Sequence, residues 1–421
     1  MAFWLNRHRV EEGGIMSRRR ILFVDDEPNM LSGMRNVLRK QRDTWDMVFV
    51  LAGTEALAAM DQAPFDVIVA DMRMPGMDGP ELLNQVKAKF PRTVRIILSG
   101  QADREALGRA MAVAHQFLSK PSDADAVKLV IERACGFQAL MDSESVQRVV
   151  GAIDGLPSLP RIHSDLNRTL ESSASSIADI AAIVESDPAI SLKVLQLANS
   201  AYFGMPQKTD SISKAVSYLG LENLKGLVLA AHVFRSDGNT RIAGVDLDEL
   251  RDESVLTANL ARKIAKTPKQ KEAAFTAGLV HDIGKLILGR GLKSPYAVIL
   301  DRQRVSCLPL REVEQEALGA THGAAGAYLL GVWGLPVELA EIVAFHDCPS
   351  KVKGGESGPL GAVHLAAGLA EAAMAGKDPS TCGALDCEFL RRADLWSEVG
   401  KWRAEAEAQI QSSKPTPRCG Q

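Results

Sequence analysis

The sequence predicts two architectures in one chain: a doubly wound α/β unit with a five-stranded parallel sheet, flavodoxin-like, and then an all-α domain. Three observations carry this. Between residues 20 and 135, short continuous apolar runs alternate with amphipathic segments, as strands covered on both faces by helices require. From Gly155 strand patterns disappear and helical periodicity continues to about Ala408. The length of 421 residues suits two or three domains.

The strands are read in order. Ile21–Val24 is the first, and Pro28 opens a helix with Leu31, Met34 and Leu38 on one face. Met47–Leu51 is the second, followed by a helix capped by Thr54 and running through Met60. Asp66–Ala70 is the third and ends at Asp71. Arg95–Leu98 is the fourth and ends at Ser99. Gln116–Leu118 is the fifth and ends near Lys120-Pro121. Asp25 and Asp26 follow the first strand. All these polar residues therefore fall at carboxyl ends of parallel strands, where doubly wound sheets place their sites. Three carboxylates brought together repel one another, and a hard divalent cation such as Mg²⁺ makes the cluster tolerable. Lys120 adds a compact positive charge and Ser99 a hydroxyl. Together they form a site for a phosphoryl group on Asp71. Taken singly, each residue has an ordinary role as a helix cap or surface charge; five of them in this order point to one site.

The runs VDDEP, FDVIVADMRMPGMDG, RIILSG and FLSKP resemble the receiver domain of bacterial two-component response regulators. The resemblance covers about residues 18–138. It implies that Asp71 accepts phosphate from a sensor histidine kinase. It also implies that Asp26, Asp71 and the Arg73 carbonyl hold Mg²⁺, with Asp25 acting through water. Ser99 and Phe117 match a hydroxyl and an aromatic that reorient together, and Lys120 matches the lysine that contacts the phosphoryl group.

Beyond this unit, Asp123–Val150 reads as one long helix that Gly136 can interrupt, with residues 139–154 as a linker. Packing on its own sheet and a dimer contact are both open for it. Leu156–Pro160 is a rigid entry to the second domain, 155–408. Ser176–Asp179 is a capping box, and Asp187-Pro188 caps and starts the next helix. That helix is apolar almost all round, with Lys193 its one charge, so it is buried. Gly204 closes it. Ser211–Leu219 is a helix stopped by Gly220, and Leu224–Phe234 is another.

The runs LPSLP, ESDPAISLKVLQLANSAYFG, SISKAVSYLGLENLKGL, HDIGKL, THGAAGAYLLGVWGLP and AFHDCP resemble the HDOD domain over about residues 150–375. That family is a helical, generally non-enzymatic relative of metal-dependent HD phosphohydrolases. The resemblance puts His281, Asp282, His322 and His346 at an HD-like site, with Lys285 as a phosphate contact. Glu253 stands where active enzymes carry a further histidine, Asp347 where a paired histidine stands, and Ala367 near the downstream aspartate. Glu249, Glu253 and Asp347 can still ligate a transition metal. The missing downstream carboxylate argues for a vestigial site. His8, His115, His163, His232 and His364 read as surface or packing residues.

Composition sets the limits. Lys+Arg 49 against Asp+Glu 52 gives a net charge of −3, which excludes a DNA-wrapping protein and offers no global basic field for nucleic acid, though a small basic patch stays open. Six scattered cysteines without a CxxC pair, and no apolar leader, suit reduced thiols in a cytoplasmic protein. The uncharged stretch Ala317–Val337 is rich in glycine and reads as a buried helix pair rather than a membrane span. Residues 1–17 and 409–421 read as disordered, with translation starting at Met16. The resulting expectation is a response regulator whose phosphorylation alters an HDOD domain that binds a protein partner or a second copy of the chain. The alternative is a phosphorylation-controlled metal phosphodiesterase acting on a nucleotide such as cyclic di-GMP.

Overall fold

The computed structural model describes residues 18–99, 109–110, 112–120, 124–139, 143–153, 156, 162, 165–166, 168–169, 175–200, 207–230, 240–306, 308–352, 354–379 and 384–413. The first unit contains β1 (Arg19–Val24), α1 (Pro28–Val37), β2 (Trp45–Val50), α2 (Gly53–Gln62), β3 (Val67–Asp71), α3 (Gly79–Lys89), β4 (Val94–Ser99) and β5 (Gln116–Ser119). The strands form one parallel sheet in the order β2-β1-β3-β4-β5. Every residue of β3 and β4 is buried, which explains the apolar runs Val67–Ala70 and Ile96–Leu98. The register pairs Val24 with Ala70, Asp71 with Leu98 and Ser99 with Ser119. Asp25, Asp71, Ser99 and Lys120 therefore come together at one edge.

Helix starts mostly follow local chemistry. Pro28 stands in the first turn of α1, and the Asp78 carboxylate accepts a hydrogen bond from the Glu81 N–H at the start of α3. Thr54 does not cap α2. The cap position falls to Ala52, and the Glu55 carboxylate instead accepts from the Leu51 N–H.

The other end of the sheet carries a feature that strand patterning hides. Arg95, on β4, is fully buried. Its guanidinium donates to the carbonyls of Val113 (2.7 Å), Thr93 (3.3 Å) and Gly151 (2.8 Å), and lies against buried His115. Burial lowers the Arg95 pKa to about 9 and keeps His115 neutral, well below its ordinary value.

The expected long helix is two: α4 (Ala124–Ala139) and α5 (Glu144–Gly151). Gly136 lies inside α4. The second helix has its own start, because Ser143 accepts from the Val146 N–H while its hydroxyl donates to the Leu318 carbonyl (2.8 Å). Both helices pack on the second domain: α4 on α14 (His322–Val332), and α5 on α14 and α11 (Ile283–Leu292).

That second domain is built from helices, with α6 (Ile177–Val184) started by the Ser176/Asp179 capping box and α7 (Pro188–Ala198) by Asp187. Each residue of α7 is buried, Lys193 included. The Lys193 ammonium lies 4.9 Å from the centre of the Trp333 ring, and burial lowers its pKa to about 7. The stretch Ile212–Ala230, called α8, is two helices meeting at Gly220, whose backbone is non-helical (φ +72°, ψ 163°), as the glycine stop implies. A short hairpin, β6 (Arg241–Ile242) and β7 (Val245–Asp246), contradicts the expectation of helices alone. Ala243 (φ +49°) and Gly244 (φ +86°) make its tight turn.

Then come α9 (Leu247–Ile264), α10 (Pro268–Val280), α11, α12 (Ser294–Ser306), α13 (Leu310–Leu318), α14, α15 (Val337–Phe345), α16 (Pro359–Met374), α17 (Cys387–Arg392) and α18 (Val399–Ser413). The last helix runs past Ala408. The uncharged stretch Ala317–Val337 forms buried α14 but reaches only the first residue of α15, which carries Glu338 and Glu341, so it supplies one buried helix rather than the expected pair. Among the described residues, no helix is long and apolar enough to cross a membrane, and Cys135, Cys348 and Cys387 are free. Met16, Pro157–Pro160, Gly204, residues 231–234, His8, His163, His232, the tail from 414, and Cys307, Cys382 and Cys419 lie outside the described residues.

Arg95→Met keeps the buried volume but leaves the Gly151, Val113 and Thr93 carbonyls short of a donor. We expect a loss of about 2–4 kcal/mol in urea unfolding of the full chain; a loss under about 0.5 kcal/mol would contradict the role given to this side chain.

Candidate functional site

Two clusters of acidic side chains each include a lysine. The first lies at the carboxyl edge of the sheet. Asp71 is buried, and one oxygen accepts from the Arg73 N–H (2.9 Å). Asp25 is buried and accepts from the Glu27 N–H (3.0 Å). The Lys120 ammonium pairs with Asp71 and with Asp25 (2.7 Å). Its backbone N–H donates to the Ser99 carbonyl (2.6 Å), so Lys120 is fixed at both ends. Burial favours neutral Lys120, but the hydrogen bonds and charges of Asp25 and Asp71 outweigh it and raise its pKa. Asp26 is half-buried beside them. It does not close a cluster in which all three carboxylates lie within 4.8 Å of one another. Ser99 and Phe117 are both buried, and Phe117 pairs with Ile97 across β4 and β5.

The donors at this edge are hard carboxylate oxygens, and one ammonium does not neutralise three acids. That chemistry fits Mg²⁺. The Asp71 carboxylate can act as a nucleophile toward phosphorus, with Lys120 placed to meet the oxygens of a group added there.

The second cluster lines a cavity of about 250 Å³ in the helical domain. Helix ends deliver its side chains: His281 and Asp282 at the α10–α11 junction, His322 at the start of α14, and His346 and Asp347 after α15. Asp282 is the hub. Its carboxylate lies 3.4 Å from His281 Nε2, 3.3 Å from His322 Nε2, 3.7 Å from His346 Nε2 and 2.5 Å from Lys285 Nζ. Each imidazole is oriented through its other nitrogen. His281 Nδ1 donates to the Gly278 carbonyl (2.7 Å), His346 Nδ1 to Val343 (2.9 Å) and His322 Nδ1 to the Glu314 carboxylate (2.7 Å).

The cavity's protonation follows from burial and charge. Burial pushes the His281 pKa down to about 4. Burial alone would raise the Asp282 pKa and lower that of His322. The positive charge around Asp282 reverses the first, and Glu314 with Asp282 reverses the second. Asp282 is therefore held well below the carboxylate range and His322 well above the imidazole range. Burial, with Asp282 and Glu371 adding, raises the Glu253 pKa to about 7 against the opposing charge of Lys285.

Glu253, His281, Asp282, Lys285, His322, His346 and Asp347 thus all face one cavity. Sequence reasoning missed two residues. Glu314 is fully buried and accepts from the His322 Nδ1 and N–H and from the Tyr296 hydroxyl (2.7 Å). Glu371 lies one helical turn after Ala367 on α16, and both line the cavity. Ala367 cannot ligate, and Glu371 brings an exposed acid to the rim without joining either possible ligand group; i,i+4 spacing could have revealed it. His364 is buried packing: its Nδ1 donates to the His346 carbonyl (2.7 Å), and its Nε2 accepts from the Asp386 N–H (2.8 Å).

Family models match both halves of the chain: the response regulator receiver domain at residues 21–132 and the HDOD domain at residues 156–349. An uncharacterized protein of Treponema pallidum is 26% identical over 204 residues, 47% of this chain and 39% of that protein. The hydrogenase transcriptional regulatory protein HoxA of Cupriavidus necator is 33% identical over 122 residues, 28% of this chain and 25% of that protein. The chain thus spans well under half the length of these curated relatives. The crystal structure of the MmoQ response regulator from Methylococcus capsulatus is 22% identical, covering 61% of this chain and 98% of that one with a TM-score of 0.47.

Glu314→Gln removes one of the two negative charges that keep His322 protonated. In metal-free protein the His322 ring should lose its proton at a lower pH, read from its Cε1 resonance; an unmoved midpoint would contradict the pairing.

Proposed function

We propose that this chain, which joins a response regulator receiver domain to an HDOD domain, is a phosphorylation-controlled switch in a two-component phosphorelay. The observation that carries the reading is the Lys120 ammonium shared by buried Asp25 and Asp71 at the carboxyl edge of the sheet. A sensor histidine kinase is the phosphodonor that the receiver domain implies. Asp25, Asp26, Asp71 and the Arg73 carbonyl would hold Mg²⁺, which supplies charge neutralisation for the incoming phosphoryl group. The Asp71 oxygen attacks phosphorus, and the phosphodonor's nitrogen leaves. The product at Asp71 carries more negative charge than the carboxylate it replaces. Lys120 then turns toward the phosphoryl oxygens and weakens its hold on Asp25. The HDOD domain acts downstream by binding a protein partner, in the cytoplasm.

The HD-like cavity supports metal binding rather than hydrolysis. His281, Asp282 and His346 form one possible ligand group, and His322, His346 and Asp347 form another. An Asp347 oxygen is buried with no hydrogen-bond partner, and the mixed imidazole and carboxylate donors suit a transition metal. The two groups share His346, whose Nδ1 is committed to the Val343 carbonyl. One remaining lone pair serves one ion, so the cavity holds a single metal.

Two outcomes follow. With acetyl phosphate and Mg²⁺, intact-mass measurement should find one phosphate per chain, lost in Asp71→Asn; an Asp71→Asn chain labelled as well as the wild type would overturn the acceptor assignment. Elemental analysis after Zn²⁺ loading should find one ion per chain, lost in His346→Ala. Two ions, or one retained without His346, would contradict the shared-ligand site.

A further inference from the structure

We propose that the receiver controls the HD-like cavity mechanically, with α14 as the connecting element. This rests on the phosphorylation of Asp71 proposed above and adds what that phosphorylation regulates.

The two ends of α14 belong to different sites. Its first residue, His322, faces Asp282 in the cavity. Its last residue, Val332, accepts a hydrogen bond through its carbonyl from Gln116 Nε2 (2.8 Å), and Gln116 is the first residue of β5. Phe117 follows it, and Lys120 lies just beyond the end of the same strand. The grip on α14 and the lysine that meets Asp71 are thus carried by one short, stiff segment.

The side contacts are close at three glycines. A Cβ on Gly331 would lie 2.1 Å from Cγ of the Phe137 ring, so α4 seats an aromatic directly on the backbone of α14. A Cβ on Gly291 would lie 2.1 Å from a methyl of Val149, so α5 seats on α11 in the same way. The Ser143 hydroxyl bonds the Leu318 carbonyl, just before His322. Inside the cavity domain, a Cβ on Gly284 would lie 1.8 Å from the His322 carbonyl oxygen. α11 and α14 are therefore locked together, and they carry Lys285 and His322. Gln196 on α7 adds a bond to the His115 carbonyl (3.0 Å), beside the start of β5.

Close-packed helices move as bodies, because their contacts cannot deform smoothly. Extra negative charge on Asp71 re-aims Lys120, whose own N–H is tied to Ser99, and so strains the end of β5. That strain is passed by Gln116 and by the sheet-packed α4 to α14. His322 then moves relative to Asp282, and the cavity changes its geometry. Linkage makes the coupling reciprocal: whatever binds the cavity alters the phosphorylation equilibrium by the same factor.

The test is amide hydrogen exchange of the full chain over peptides covering residues 322–333, with and without acetyl phosphate and Mg²⁺, phosphate load being checked by intact mass. In the wild type, phosphorylation should change exchange in these peptides by at least about fivefold, the lower end of the usual allosteric range. Gln116→Ala and Phe137→Ala touch neither Asp71 nor the cavity. Both should take up phosphate normally while the response at 322–333 falls to half or less. Gln116 is buried but lies outside the apolar core that holds Phe137, so Gln116→Ala decides the matter if Phe137→Ala fails to fold. A wild-type chain loaded with phosphate but unchanged at 322–333 overturns the coupling alone, as does a Gln116→Ala chain that responds fully. A wild-type chain that takes up no phosphate overturns the receiver reading, and the coupling falls with it.

Discussion

One ammonium shared by two buried carboxylates organises the receiver edge. Lys120 follows β5, Asp25 follows β1 and Asp71 ends β3, so the pair of contacts ties the ends of three strands together at an acidic edge of the sheet. Buried carboxylates are costly unless a cation and hydrogen bonds satisfy them. Here the Glu27 and Arg73 N–H groups take one oxygen of each acid, and Lys120 takes the other. Any group added to Asp71 must therefore compete for the same lysine, and the proposed switch rests on that competition.

The helical domain solves a similar problem by other means. Asp282 is buried among three imidazoles and Lys285, so its charge is balanced within the cavity itself. Glu314 sits one layer further out. It shares its carboxylate between His322 and Tyr296, and so fixes the orientation of the ring that reaches Asp282. The two clusters are linked through α14, whose packing against α4 depends on Gly331 having no side chain.

Much of this was legible in the sequence because its causes are local. Apolar runs gave the five strands to within a residue or two, and Asp25, Asp71 and Lys120 were found because parallel strands end on one edge. The Ser176 box and the Asp187-Pro188 start are likewise written within four residues. What was missed depends on partners distant in the chain. Arg95 looks like an ordinary strand residue until the Gly151 carbonyl arrives beside it. Ser143 starts a new helix with its hydroxyl on Leu318, which no local pattern announces. Ala243-Gly244 lacks the Asn-Gly or Asp-Gly signal of a tight hairpin, and its strands are two residues each. Glu314 carries no motif; only its burial against His322 reveals it.

The central claim is that receiver state is read at His322. The most direct measurement is the His322 Cε1 resonance of the full chain before and after beryllofluoride and Mg²⁺ load the receiver. The account predicts that this resonance shifts together with those of the Asp71 edge, and that the shift is lost in Asp71→Asn. An unmoved His322 resonance beside a fully shifted receiver would contradict it.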